Sequence, residues 1–189
     1  QVHAGIGKSG FYKNYEIRFD DKKGTFRYFR DHEAHELEKL GHGDQIFVKD
    51  VADLLGLPDI QWKGPSWECF YHATFNQRPI SVITARGHSP ETLKRGIQLF
   101  VDKKLLPQEP NYLSLFPVSH GPTRQYLGDL EFVMSTAELK QRAIRSSVEH
   151  ALKIYGYNDH HRFGMSDDDP KNLQLIYEEM LRLKKRFPR

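Results

Sequence analysis

Pro79-Ile80-Ser81-Val82-Ile83-Thr84-Ala85-Arg86-Gly87-His88-Ser89-Pro90-Glu91 is the stretch on which the architecture turns. Its first half is short, β-branched and almost wholly apolar, the type of strand buried in a parallel sheet. Its second half starts a helix. Ser89 is a capping residue, Pro90 suits the first turn, Glu91 puts negative charge near the helix N-terminus, and Leu93, Ile97 and Phe100 follow at helical spacing.

The same order recurs toward the C-terminus. Leu130-Glu131-Phe132-Val133-Met134 is a second strand candidate, and Ser135-Thr136 precede a helix running to about Tyr155. Arg162-Phe163-Gly164-Met165 reads as a third strand. It leads through Ser166-Asp167-Asp168-Asp169-Pro170 into a terminal helix with Leu173, Ile176, Tyr177, Met180 and Leu183 on one face. Between Pro107 and Asp129, four prolines and no clear period predict a loop-rich region. Strand, polar loop and helix in succession predict an α/β fold, a doubly wound, mostly parallel sheet with right-handed crossovers. On the N-terminal side, 65–77 reads as a helix opened by Pro65 and Ser66, and 44–56 as a strand or loop and then a helix ending near Gly56. Residues 11–30 carry a β-hairpin signal: Tyr15, Ile17 and Phe19 share a face, Asp20-Asp21-Lys22-Lys23-Gly24 turns, and Thr25 to Phe29 resumes. Without a repeat or a flexible linker, 1–189 reads as one domain.

Composition excludes several functions. Lys plus Arg is 28 against 25 for Asp plus Glu, and the resulting +3 is too small to imply binding to nucleic acid or a membrane. A single cysteine, Cys69, rules out an intrachain disulfide and any multi-cysteine zinc site, so a reducing cytoplasm is the plain expectation. No apolar run reaches the roughly eighteen residues of a membrane helix, which predicts a soluble protein. The chain opens on Gln1 rather than methionine, which reads as a processed product or a fragment.

In doubly wound sheets, ligands sit at the carboxyl ends of the strands. Thr84 ends the first strand, Lys140 follows the second, and Asp167-Asp168-Asp169 follows the third. Hydroxyl and ammonium groups suit phosphoryl oxygens, and hard carboxylate oxygens suit Mg²⁺. Each residue also has an ordinary structural role: threonine as a cap, lysine as a solvated helix residue, an Asp-rich turn before Pro170 as an N-cap.

Taken together, these residues resemble the haloacid dehalogenase-like phosphohydrolases. Ile80 to Gly87 looks like that family's second motif, a hydrophobic strand ending in a Ser or Thr that binds the phosphoryl group. Lys140, 27 residues before Asp167 and at a helix start, is similar to the third-motif lysine that neutralises phosphate and nucleophile. Phe163-Gly164-Met165-Ser166-Asp167-Asp168-Asp169-Pro170-Lys171-Asn172 looks like the acidic fourth motif. The resemblance, which covers about 65–187, implies Mg²⁺ as cofactor, held by Asp167 and Asp168, and a phosphorylated substrate. It also implies a flap at 11–30 and a small cap at about 31–64.

The family's chemistry needs a first motif, Asp-x-Asp on a central strand, whose first Asp forms an aspartyl-phosphate and whose second is the general acid and base. Asp20-Asp21-Lys22-Lys23-Gly24-Thr25 is the in-chain candidate, and either register puts a lysine, Lys22 or Lys23, at the acid/base position. A lysine accepts no proton near neutral pH unless its pKa is strongly lowered. The alternatives are that 15–29 is the flap hairpin and the motif precedes Gln1, or that Val2 to Ile6 is a remnant strand without an Asp. The nucleophile is therefore unassigned. The sequence supports a Mg²⁺-dependent phosphatase or phosphotransferase, or a catalytically silent relative that binds a phosphorylated ligand or a protein partner.

Other signals have plainer readings. Gly5-Ile6-Gly7-Lys8-Ser9 lacks the earlier glycine and preceding strand of a phosphate-binding loop. His32, His35 and His42, and His160 with His161, read as solvated positions. Cys69 reads as core beside Phe70 and Ala73. Arg182 to Arg189 is a basic helix end, favourable to the helix dipole. Trp62 and Trp67, flanking Gly64-Pro65, pack a loop over the core or line a substrate pocket.

Overall fold

The computed structural model describes residues 45–158, 160–167 and 169–187. The expected hairpin at 11–30 with Asp20 and Asp21, the strand at Val2 to Ile6, Gly5 to Ser9, His32, His35, His42, the expected cap up to residue 44, and Asp168 lie outside the described residues. Helix α1 is Gln45–Leu54, and a 3-10 turn at Asp59–Gln61 leads to α2, Trp67–Phe75. Strand β1, Ile80–Thr84, is followed by α3, Pro90–Asp102, and β2, Tyr112–Pro117. Then come α4, Gly121–Tyr126, and two long helices, α5, Thr136–Tyr155, and α6, Pro170–Arg186.

The crossover expected from the Pro79–Glu91 stretch is present. Ser89 accepts the Thr92 amide on its side chain at 3.2 Å, Pro90 occupies the first turn, and α3 buries Thr92, Leu93 and Gly96. Strands β1 and β2 pair in parallel, Ser81 opposite Ser114, Ile83 opposite Phe116 and Thr84 opposite Pro117.

The partner strand lies where a loop was expected. Tyr112-Leu113-Ser114-Leu115-Phe116-Pro117 forms β2 inside the proline-rich region, because Pro110 precedes the strand and Pro117 closes it, where a missing N–H disrupts little of the ladder. Leu130 to Met134 is a turn rather than a strand: Asp129 Oδ1 accepts the amides of Val133 at 2.8 Å and Met134 at 3.2 Å, and Phe132 takes φ 56°. The apolar residues Leu130 and Val133 are 73% and 68% exposed. Arg162 to Met165 has no regular structure either; Met165 packs against the α5–α6 core, and no strand is available beside it among the described residues. The sheet of the described residues therefore has two strands.

Helix α5 starts at a capping box, Ser135 accepting the Glu138 amide while the Glu138 carboxylate accepts from the Ser135 hydroxyl and amide. Those hydrogen bonds hold the Glu138 carboxyl below its ordinary pKa. Leu139, Ala143, Ile144, Ser147, Val148 and Ala151 recur on its buried face. One core cluster joins Phe116, Val118, Leu127, Leu139 and Ala143; a second joins Ile144, Val148 and Leu183; Ile83 touches both. Glu179, fully buried on α6, is held by Arg145 Nε at 2.9 Å and Arg182 at 3.1 Å, which clamps α6 to α5.

Gly156 ends α5 at φ 74°, ψ 171°, a conformation reserved almost entirely for glycine, and a Cβ there would meet nothing within 4 Å. Gly156→Ala is expected to cost about 1–3 kcal/mol through the backbone alone, read as a lower urea midpoint with an unchanged m-value. Among the described residues no helix is long and apolar enough to cross a membrane.

Candidate functional site

Three serines show how α5 lies along the sheet. The Ser114 hydroxyl donates to Ser81 at 2.7 Å and lies 2.9 Å from the Ser147 hydroxyl, which donates to the Ala143 carbonyl. Ser147 is thus near Ser81, while Ala143 and Ile144 belong to the clusters that pack on Ile83. The helix runs antiparallel to β1, and one turn further toward its N-terminus Lys140 reaches the level of the strand's carboxyl end at Thr84.

There Lys140 Nζ lies 3.6 Å from Asp167 Oδ2, with the two side chains only 13% and 19% exposed. The other Asp167 oxygen accepts from the Asp169 amide at 2.9 Å and Asn172 Nδ2 at 2.8 Å. Asp169 itself is the N-cap of α6, accepting the Lys171 amide at 2.9 Å ahead of Pro170. The aspartates therefore divide their roles: Asp169 starts a helix and Asp167, oriented by Asn172, faces the lysine.

The ion pair lies in the wall of a cavity of about 610 Å³, otherwise walled largely by apolar side chains such as Phe70, Ile144, Val148 and Ile176. Ser81 and Ile83 also line it. The Ile80 amide bonds to Asn111 and the Thr84 carbonyl accepts from Val118, so the even-numbered backbone groups of β1 point at β2. In a parallel strand the intervening groups, on Ser81 and Ile83, point the opposite way, along the edge that no described strand pairs. This open edge explains why the apolar β1 is half-buried along its whole length instead of buried. The Ser81 hydroxyl, which lines the cavity, accepts from Ser114.

The structure thus brings Lys140 and Asp167 together. Thr84 shares their end of the sheet but is not among the residues lining the cavity; its hydroxyl accepts the Arg86 amide at 3.4 Å. Cys69, expected in the core, is exposed and lines the cavity, because α2 turns that side toward the open groove. The hydroxyl chain of Ser81, Ser114 and Ser147 has no sequence-based expectation behind it. Its signal was available: each serine interrupts an otherwise apolar run or face. Asn172 likewise carries no sequence-based expectation; its position in the first turn of α6 lets it reach back to Asp167.

Among the described residues no group of three or more His, Cys, Asp or Glu gathers to hold a metal. Asp167 offers one carboxylate, with one oxygen engaged by two N–H donors and the other beside Lys140. Mg²⁺ demands six oxygens in near-octahedral array, so the described residues do not by themselves make its site.

No family model, no curated protein and no solved structure matches the chain.

Proposed function

We propose that this chain handles phosphoryl groups in the manner of a haloacid dehalogenase-like phosphatase or phosphotransferase. The observation that carries the reading is the ion pair of Lys140 with Asp167, two residues 27 positions apart in sequence that meet in a cavity beside the carboxyl end of a parallel strand. On this reading Lys140 neutralises phosphoryl charge, Asp167 positions the ammonium, and Thr84 supplies a hydroxyl to a phosphoryl oxygen. The nucleophilic aspartate would enter on a strand along the open edge of β1, from outside the described residues. The Mg²⁺ of the proposal depends on Asp168 and on further oxygen donors that also lie outside them.

A second reading, a catalytically silent domain that binds a phosphorylated ligand or a protein partner, draws on a different observation. Asp167 is the one carboxylate lining the cavity among the described residues, and it is engaged with Lys140, so none of them is free to attack phosphorus.

Hydrolysis of an aryl phosphate by the full chain with Mg²⁺ separates the two. Phosphate release that disappears in Asp167→Asn is the result expected of the enzyme. Phosphate binding without release selects the silent domain, and absence of both overturns the phosphoryl site.

A further inference from the structure

Beside the ion pair a second hollow opens, of about 390 Å³, with Gly64, Pro65, Trp67 and Phe70 on one side and Ser166 and Asp167 on the other. It shares Ser66, Phe70, Ser166 and Asp167 with the larger cavity, so the two are continuous at the carboxylate. The aromatic wall is held from behind. Trp67 stands 5.0 Å from Trp62 at 88°, 5.6 Å from Phe100 at 34° and 6.2 Å from Phe70 at 62°, each within the range of favourable ring pairs. Lys63 Nζ lies over both indoles, at 5.2 and 5.4 Å, and is tied to Asp59 at 2.5 Å. A wall fixed in this way loses little side-chain freedom when a ring is laid against it.

Charge sorts the two compartments. Asp167 stands at their shared edge and repels an anion from the hollow, while Lys140 attracts one on the other side of the carboxylate. The nearby cation Lys63 is committed to Asp59 and the indoles, and does not line the hollow. A ligand with its anionic group at Lys140 therefore presents an uncharged part to Trp67 and Phe70.

Resting on the phosphoryl-site reading, we propose that this hollow is a specificity subsite for a flat aromatic group attached to the phosphoryl group, with Trp67 and Phe70 as its determinants. The ligand class is an aryl or heteroaromatic phosphate rather than a small aliphatic one.

Calorimetric titration of the full chain with phenylphosphonate and methylphosphonate, which are not hydrolysed, tests this. Phenylphosphonate is expected to bind about tenfold more tightly or better. Trp67→Leu should erase the preference while leaving methylphosphonate affinity unchanged, and Trp67→Phe, which keeps a ring and guards against a folding defect, should retain most of it. Equal affinities in the wild type, or a preference that survives Trp67→Leu, overturn the subsite and leave the phosphoryl site standing. Failure of both phosphonates to bind overturns the subsite together with the phosphoryl site.

Discussion

Lys140→Met is expected to lower the affinity for inorganic phosphate, and any turnover, by about 100-fold, because it removes the cation from a largely desolvated site and leaves Asp167 to repel the anion. The methylene stem is nearly matched in volume, so the helix keeps its packing and the loss falls on binding. Titration calorimetry reads it directly, and wild-type affinity in the variant would remove Lys140 from the site. Asp167→Asn sharpens the result. In a binding-only domain it relieves the repulsion, and phosphate affinity holds or rises. In a metal-dependent enzyme it abolishes Mg²⁺-dependent turnover whatever phosphate affinity does.

Asp129→Ala is expected to be the most damaging substitution for stability. Asp129 and Arg124 are 1% and 4% exposed, and Arg124 donates to Asp129 Oδ2 through Nε at 2.8 Å and an Nη at 2.6 Å. The other carboxylate oxygen holds the amides of Val133 and Met134, so one side chain shapes the whole 129–134 turn. Removing it leaves a buried guanidinium without its counter-charge, a loss of about 3–5 kcal/mol, which lowers the melting temperature of a chain this size by on the order of 10 °C. A change of under about 1 kcal/mol would mean that the pair contributes little.

The same carboxylate predicts a pH dependence. Burial pushes its pKa up, but the Arg124 hydrogen bonds, the Met134 and Val133 amides and the Arg124 charge outweigh burial and hold it below its ordinary value. Its stabilisation is therefore present above the unfolded value near 3.9 and is lost as pH falls through the lower folded value. The stability gap between wild type and Asp129→Asn should be flat from about pH 5 to 8 and narrow in stronger acid. Urea titrations across that range check it; a gap that persists to the acid limit would contradict the assignment.

Particular elements show what was legible. The β1–α3 unit and the start of α5 were, because Ser89-Pro90 and the Ser135/Glu138 box act through hydrogen bonds and dihedrals within a single turn. Strand β2 was not: the prolines that punctuate 107–122 mask a run whose strand character comes from pairing with β1, more than twenty residues upstream. Leu130 to Met134 misled in the opposite sense, since apolar letters resemble a strand until Asp129 draws two of their amides onto one oxygen. Lys140 and Asp167 were legible as residue types at a spacing, whereas the separation of cap from site within the aspartate run was not.

Local order in this protein is determined by the sequence itself: where helices start and stop, which face of α5 is apolar, and that an apolar strand leads into a capped helix. Tertiary structure alone decided that β2 pairs with β1, that Asp167 rather than Asp169 meets Lys140, and that Trp67 lines the hollow adjoining their cavity at Asp167. Caps and hydrophobic periods act over a few residues, while an ion pair 27 residues apart exists only once the packing of α5, α6 and the sheet has closed the distance between its members.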